Sequence, residues 1–455
     1  MRSQLFLSAL LFSIVTGSQI ANFDIPEDVA AKYSCDATCS WGFSAGLTLD
    51  YEEYGDVYDE DFYVTANNFS TSAPGDILKV QPIVSAELSG SVPKGTTAYR
   101  FQYTSVDLFG NTVPVSGFIA FPYANRTNGP LFRTVAWAHG TSGVFRGCAP
   151  SVMTNLYEYG SWSFLIEGGY AVVATDYAGL GNGQVGHPYV ALSAHANDVF
   201  YAVVAVRKIF GASLSNEWMS VGHSQGGGTV WSLAESPLLR QNNSRAGRYL
   251  GTVAQSPGVF MGSTAVVALE AAQEWNAAKQ SVFSEIGWAV IGLQNIYPNE
   301  TFSWMDPTLR ERLELAKLAQ ACYRSMQALT TDLPLDIPLS SEQARQTISL
   351  IDDLSAVGTR KSLEPILVVQ GLEDVSVLPQ VVESAYNVTC QVGSEVHLQL
   401  YPRLGHIAVI AASAPSFLKW MDDRFEGLIT RGGCSSEIVK PFDAAGDMYA
   451  LDDAW

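Results

Sequence analysis

Apolar positions in this chain first recur with the period of β-strands and later form strands that alternate with helices. Between residues 76 and 123, three strand-like runs, such as 99–103 and 113–121, predict antiparallel strands. Further apolar runs predict buried strands at 131–138, 170–174, 218–221, 250–254 and 364–369. Residues 193–210 have apolar side chains at helical spacing and are followed by Gly211, which predicts a helix with one buried face. This alternation predicts an α/β fold with a mostly parallel sheet.

A long interval separates the last two of these strands. It far exceeds an ordinary crossover and contains helical runs such as 308–329. We therefore predict a core of residues 76–256 and 363–455, ending in a C-terminal flap, with a helical cap inserted at 257–362. Within the cap, the apolar run 286–293 is typical of either a pocket wall or a buried helix.

The N-terminus has the pattern of an export signal. A basic start precedes a short apolar run and then small residues, which predicts a signal peptide over residues 1–20. No other run reaches the ~18 uninterrupted apolar residues of a membrane span, so we predict no integral membrane segment. Residues 21–75 would form an N-terminal extension. Its acidic stretch 50–61 lacks the ligand spacing of an EF-hand, which predicts a solvated segment and no metal site.

Composition agrees with export. The six cysteines form an even number, as in disulfide-bonded secreted proteins. The N-x-S/T glycosylation sequons are at Asn68, Asn125, Asn242, Asn299 and Asn387. The formal charge of −19, from 26 basic and 45 acidic residues, argues against nucleic acid and against electrostatic binding to anionic membranes. We expect a secreted, extracellular glycoprotein that is a monomer.

The segment Gly222-His223-Ser224-Gln225-Gly226 fits the G-x-S-x-G pattern of a nucleophile elbow. The strand predicted at 218–221 precedes it, and a helix-like run follows it. In this arrangement the serine stands on a strained strand-to-helix turn, and the small neighbours allow the helix to approach the strand closely. The pattern predicts Ser224 as a nucleophile and the Gln225 amide as an oxyanion donor.

An orienting acid is expected downstream of the serine, at the end of a strand. The apolar run 364–369 is followed by Gly371 and then by Asp374, with Glu373 as its close competitor. Asp352 and Asp353 fit less well because they lie in a more polar, helical stretch. We therefore predict that Asp374 orients the base.

The base is expected last in the chain, on a loop after the next strand. Residues 396–401 alternate apolar and polar like a strand, and His406 follows them. The other five histidines precede the serine, lie in the elbow or lie inside a strand: His139, His187, His195, His223 and His397. Elimination leaves His406 as the base of a Ser224–His406–Asp374 triad that forms an acyl-enzyme.

A second oxyanion donor is expected in the loop after the third strand of the main sheet. The strand predicted at 131–138 runs into His139-Gly140-Thr141-Ser142-Gly143. The backbone of Gly140 or Thr141 is therefore the candidate donor.

The motifs together resemble those of a known family. The set comprises 139–141, 148–151, 175–181, the elbow and the Asp374 and His406 loops, and it is similar to the fungal and bacterial secretory lipases of the lipase-A type. The resemblance covers about residues 75 to 434 and implies an α/β-hydrolase fold with an inserted cap. It also implies disulfides between Cys148 and Cys322 and between Cys390 and Cys434. Cys35 and Cys39 would then form a local bridge.

Gly181-Asn182-Gly183-Gln184-Val185-Gly186 matches the G-x-G-x-x-G pattern of dinucleotide sites. No acidic residue ends a second strand about 20 positions later, where a ribose would require one. We therefore interpret the segment as a tight active-site loop and predict no cofactor.

The sequence as a whole predicts a secreted serine hydrolase of carboxylic esters, a lipase or carboxylesterase acting on a small-molecule or lipid ester. Use of the same triad by a peptidase, a lactonase or an acyltransferase, including one of secondary metabolism, stays open. A non-catalytic binding protein on a hydrolase fold is the alternative of another class.

Overall fold

A computed structural model describes residues 19–55, 58–126, 129–240, 245–272, 276–333, 341–430 and 432–442. The strands are β1 Ile77–Ile83, β2 Thr97–Val106, β3 Thr112–Phe121, β4 Phe132–Ala138, β5 Ala171–Thr175, β6 Leu214–His223, β7 Arg248–Gln255, β8 Ile366–Gly371, β9 Val396–Tyr401 and β10 Ser435–Ile438. They form one sheet in the order β1-β2-β3-β5-β4-β6-β7-β8-β9-β10. The first three strands and the β3–β5 pair are antiparallel, and all the other pairs are parallel. The predicted α/β architecture is confirmed.

Helices flank this sheet on both faces and fill the long interval before β8. They are α1 Glu27–Ala30, α2 Ala37–Tyr54, α3 Glu60–Tyr63, α4 Ser163–Glu167, α5 Leu192–Phe210, α6 Gln225–Ala234, α7 Met261–Ala272, α8 Asn276–Ile296, α9 Pro307–Ala319, α10 Tyr323–Thr330, α11 Glu342–Ser355, α12 Pro379–Gln391 and α13 Ala408–Phe425. Short 3₁₀ helices lie at Ala31–Tyr33, Phe69–Thr71, Arg146–Cys148, Pro150–Val152 and Pro237–Arg240. Among the described residues, none of these helices is long and apolar enough to cross a bilayer.

The central strands are apolar on both faces because helices cover both sides of the sheet. In β4, Ala136 and Ala138 pack into the cluster that contains residues of α5 and α6. Val135 and Trp137, at the alternate positions, pack into the cluster that contains residues of α4 and α13. The near-continuous apolar runs in the sequence follow from this double burial.

Helices α7 to α11 occupy the chain between β7 and β8, within the predicted cap interval. Many of their apolar side chains share a third cluster with residues of α2. The helical run 308–329 is two helices rather than one, because Gln320 adopts a left-handed conformation with φ 50° and ends α9. Cys322 then precedes the first turn of α10.

The acidic segment 50–61 is solvated at Glu52, Glu60 and Asp61, but three of its residues are not. Asp50, Tyr54 and Tyr58 are all buried. The Asp50 carboxylate accepts hydrogen bonds from the backbone amides of Arg324 and Ser325, at 2.8 and 2.9 Å, at the start of α10. Burial raises the pKa of Asp50 to about 6, although these bonds oppose the shift. The acidic residue therefore docks α2 onto the inserted helices.

The C-terminal segment, for which a flap is predicted, contains one further strand. Residues Ser435–Ile438 form β10, which pairs in parallel with β9 at the edge of the sheet. Residues 443–455, most of the signal peptide and the Asn242 sequon lie outside the described residues.

Candidate active site

Ser224 stands at the predicted turn between β6 and α6. Its backbone has φ 58° and ψ −122°, a strained conformation for a residue with a side chain. The Ser224 amide donates to the Gln255 carbonyl, at 3.0 Å, and the Ser224 carbonyl accepts from the Gly258 amide, at 2.8 Å. These bonds to the end of β7 and its loop hold the strained turn at the carboxyl edge of the sheet.

The glycines beside Ser224 permit a close approach of backbone to backbone. A Cβ on Gly226 would lie 1.9 Å from the Ala138 carbonyl oxygen, and one on Gly222 would lie 2.2 Å from the Gly226 oxygen. Because backbone atoms cannot move aside as a flexible side chain can, no larger residue fits at either position without shifting β4 or α6.

We expect Gly226→Ala to destabilise the protein by more than about 3 kcal/mol, because its methyl group would overlap the Ala138 carbonyl. The matched control is Gly42→Ala in α2, where a Cβ meets no atom within 4 Å. That substitution should stabilise by up to about 1 kcal/mol, since alanine is the better helix former. Soluble yield and Tm measure both effects, and an equal Tm for the two variants would contradict the close packing.

Asp374 and His406 are brought together by the loops after β8 and β9. The His406 Nδ1 atom lies 2.8 Å from Asp374 Oδ2. Asp374 Oδ1 accepts from the backbone amides of Ser376 and Val377, at 3.0 and 2.8 Å, and Oδ2 also accepts from Gln370 Nε2, at 3.2 Å. A carboxylate at this position can only accept, so His406 Nδ1 carries the proton and Nε2 is left as a base.

The competing acidic residues lie elsewhere. Glu373 is exposed, whereas the Asp374 side chain is buried. Asp352 lies in α11, as predicted, where it accepts from the Ser263 amide and hydroxyl and so joins α11 to α7. This geometry favours Asp374 as the partner of His406.

The remaining histidines have structural surroundings. His139, His187 and His195 are buried in a stack of rings that includes Tyr177. Burial lowers the pKa of His139 to about 4 and that of His187 to about 3. His397 lies within β9, as predicted, with Nε2 3.0 Å from Glu395.

His223, the second residue of the elbow, touches the candidate base. Its Nε2 atom lies 3.0 Å from the backbone oxygen of His406, and its Nδ1 atom lies 3.0 Å from the Tyr159 hydroxyl. A carbonyl oxygen only accepts, so Nε2 carries the proton and Nδ1 accepts from Tyr159. Burial first, and then the neighbouring His406, hold the pKa of His223 well below its usual value. His223 is therefore neutral and fixed in one tautomer.

Tyrosine hydroxyls hold the predicted oxyanion loop in place. Tyr157 donates to the carbonyl of Thr141, and Tyr54 donates to that of Ser142, at 2.6 Å. The Tyr189 hydroxyl lies 2.8 Å from Thr141 Oγ1. The loop also lies against the elbow, since a Cβ built on Gly140 would be 3.5 Å from Ser224 Cβ.

Two narrow cavities meet at Ser224. The first, of about 60 Å³, is largely apolar and extends among α7, α8 and α11, with Leu269, Ile286 and Ile351 in its wall. The second, of about 40 Å³, is lined by the oxyanion loop, His406 and aromatic side chains. The run 286–293 is thus both a buried helix and, through Ile286, Ala289 and Val290, a pocket wall.

Sequence reasoning did not identify many residues of these walls, including three beside Ser224. Tyr159, Glu285 and Ser376 line the second cavity with Ser224, and Glu285 and Ser376 line the first as well. Ser376 follows Asp374 closely in the sequence, which could have indicated it. Tyr159 and Glu285 are brought in by distant segments, and no local pattern marks either residue.

The loop 181–186 lies between β5 and α5, beside the N-terminal helices. Tyr58 donates to the Gly181 carbonyl, at 2.6 Å, and Asn182 donates to the Tyr63 carbonyl, at 2.7 Å. The chain then continues to Tyr189, which lines the first cavity. The glycines of 181–186 therefore lie in a packed loop, and the chain after this loop forms part of the wall of the first cavity.

The disulfides of the structure are Cys35–Cys39, Cys148–Cys322 and Cys390–Cys434, the pairs that the resemblance and the remaining cysteines implied. Cys148–Cys322 links the segment after the oxyanion loop to the start of α10. Of the sequons within the described residues, Asn68, Asn299 and Asn387 are exposed and Asn125 is half-buried.

Solved structures share this architecture. Candida antarctica lipase A in its closed state is similar to this chain with a TM-score of 0.61 and 15% identity, over 83% of this chain and 88% of that one. The rice cell wall degrading esterase LipA from Xanthomonas oryzae has a TM-score of 0.57 and 19% identity, over 79% of this chain and 100% of that one. No protein-family model and no curated protein matches the sequence. The chain therefore has the α/β-hydrolase fold, and the solved structures that share it include lipase-A-type enzymes, as the motifs predicted.

Proposed function

We propose that this chain is a serine hydrolase that cleaves carboxylic esters. The observation that carries the proposal is the hydrogen bond that Asp374 forms with His406, which lines the second cavity together with Ser224. A lipase and an esterase share its fold, which supports ester hydrolysis over other uses of the triad. The disulfides and the exposed sequons support our proposal that the enzyme is secreted and glycosylated.

In the proposed mechanism, His406 Nε2 removes the proton from Ser224 as Oγ attacks the ester carbonyl carbon. The imidazolium is stabilised by Asp374 and then protonates the departing alkoxide. The resulting acyl-enzyme is attacked by water, which His406 deprotonates, and the carboxylic acid and free serine are released. Each step needs the proton of His406 on Nδ1, where Asp374 holds it.

The negative oxygen of the tetrahedral intermediate requires backbone donors. Gln225 is the first residue of α6, so its amide has no partner within the helix. The Gly140 amide donates a hydrogen bond to the Tyr159 hydroxyl, and this bond opposes the rise that burial causes in the pKa of Tyr159. The Gly140 amide is therefore already bonded within the protein. We therefore assign the oxyanion to the amides of Gln225 and Thr141.

We further propose that α7 to α11 act as a cap whose apolar cavity receives the acyl group. The surface of that cavity is largely apolar, with aliphatic side chains such as Leu269, Ile286 and Ile351, which favours the hydrocarbon chain of an acyl group. A lactone would use the same triad, and an acyltransferase would differ only in admitting an alcohol in place of water.

Turnover of nitrophenyl esters from acetyl to palmitoyl tests this function directly. We expect the protein to hydrolyse these esters, and we expect a fluorophosphonate to label Ser224 covalently. Activity that rises through long chains would identify a lipase, and activity confined to acetyl through butyryl would identify a small-ester hydrolase. A folded protein that shows neither labelling nor hydrolysis would support a non-catalytic role instead.

The contacts of His223 predict that it positions the base. We expect His223→Phe to lower kcat roughly 10-fold or more with little change in KM, because the His406 carbonyl loses its donor. His223→Gln should recover most of the rate, since its amide places a donor near the Nε2 position. The side chain of His223→Asn is too short to place its amide near the Nε2 position, so this variant should not recover the rate.

Steady-state kinetics on one nitrophenyl ester, with Tm for each variant, separates this role from a structural one. An equal loss of kcat in the Phe, Gln and Asn variants would show that the hydrogen bond to His406 is not what matters. Tyr159→Phe provides the matched test of the other ring nitrogen, since it removes only the hydroxyl that faces Nδ1.

A further inference from the structure

One acidic side chain lines both cavities at the candidate nucleophile. Glu285 of α8 contributes to the walls of both cavities. Among the described residues that line either cavity, no other side chain is a carboxylate, a lysine or an arginine. The position of Glu285 next to Ser224 would bring it close to the group attached to the scissile bond.

The second cavity adds aromatic rings to this carboxylate. Trp288 and Tyr323 stack with ring centroids 5.2 Å apart, and Tyr157 and Tyr159 meet edge to face at 5.0 Å. All four residues line the cavity with Glu285. Aromatic rings beside a carboxylate in a confined site are the arrangement that binds ammonium groups, through cation–π attraction and charge.

Among the described residues, several carboxylates and one guanidinium act on Tyr323. Arg324 lies over the Tyr323 ring, with its guanidinium carbon 5.8 Å from the centroid. Burial raises the pKa of Tyr323 most, Glu285, Glu53 and Asp50 raise it further, and only Arg324 lowers it. Arg324 also acts on Glu53. Burial raises the pKa of Glu53, and the charge of Arg324 opposes that rise. Among the described residues, the guanidinium of Arg324 thus shares the surroundings of Tyr323 with the carboxylates of Glu285, Glu53 and Asp50.

We infer that the second cavity receives an alcohol group bearing an ammonium cation, held by Glu285 and the surrounding rings. This inference rests on the proposed ester hydrolysis and names its substrate class: esters of cationic amino alcohols. The acyl group would occupy the apolar cavity, and the cation would lie on the leaving-group side of Ser224. The net charge of −19 would also attract such substrates from solution.

Acetylcholine and its neutral isostere 3,3-dimethylbutyl acetate provide the test, since a neutral quaternary carbon in the second ester replaces the charged nitrogen of the first. For the unmodified enzyme we expect kcat/KM to be at least about 10-fold higher on the cationic ester. Glu285→Gln should lower that ratio about 10-fold, and Glu285→Asp should retain part of it. Glu270→Gln, on the exposed side of α7, controls for the overall charge and should leave the ratio unchanged.

Competition gives a readout that does not depend on cleavage of a choline ester. Tetramethylammonium should inhibit hydrolysis of nitrophenyl butyrate competitively, and Glu285→Gln should weaken that inhibition. If nitrophenyl butyrate is cleaved but the two acetates react equally and tetramethylammonium has no effect, the cation site is wrong and the hydrolase remains. If no ester is cleaved and the fluorophosphonate does not react, both proposals fail.

Discussion

Replacing Ser224 with alanine is expected to lower kcat for ester hydrolysis by roughly 10⁵-fold or more. The substitution removes the only atom that can form the acyl-enzyme, while the cavities and the oxyanion donors stay in place. Residual turnover should approach the slow background that binding and oxyanion stabilisation alone support. Initial rates with a nitrophenyl ester of the preferred chain length measure the effect.

The Ser224 variant should fold normally, because alanine keeps the Cβ atom and tolerates the same backbone bonds to Gln255 and Gly258. The matched control is Ser376→Ala, since Ser376 is the other serine of the described residues that lines both cavities. We expect it to retain activity within about 10-fold and to keep reacting with a fluorophosphonate. Loss of labelling in Ser376→Ala, with labelling preserved in Ser224→Ala, would overturn the choice of nucleophile.

The parts of this site that the sequence predicts are those that depend on local order. A strand, a glycine and an acidic residue identify Asp374, and the order of serine, acid and histidine identifies His406. Both depend on the fact that parallel strands bring their carboxyl ends to one edge of a sheet. The same logic predicts the candidate oxyanion loop after β4.

The parts that it does not predict depend on contacts between distant segments. The acidic stretch around Asp50 predicts a surface residue, yet Asp50 is buried against the start of α10. Backbone amides donate hydrogen bonds to its carboxylate there. Glu285 is equally inconspicuous in the pattern of α8 and gains its significance from the packing of the inserted helices on the core. Sequence periodicity reports which face of an element is buried, but it does not report which partner covers that face.

Asp374→Asn is expected to lower kcat by about 10³- to 10⁴-fold with little change in KM. The reason lies in the hydrogen bonds around the carboxylate. The backbone amides of Ser376 and Val377 both donate to Oδ1, so the oxygen of an asparagine amide would take that position. Its NH₂ group would then face His406 Nδ1, which could bond to it only as an acceptor. The histidine proton would move to Nε2, where the imidazole can no longer accept a proton from Ser224.

Glu373→Gln is the matched control for the loss of a carboxylate in this loop, because Glu373 is exposed and adjacent to Asp374. We expect it to change kcat less than twofold. Kinetics of both variants, with Tm to show that each is folded, distinguish the two acids that the sequence leaves in competition. Activity retained in Asp374→Asn and lost in Glu373→Gln would transfer the orienting role to Glu373. The hydrogen bond of 2.8 Å between Asp374 and His406 favours loss of activity in Asp374→Asn and its retention in Glu373→Gln. To reach the imidazole, the exposed glutamate would have to displace a buried, fully bonded carboxylate.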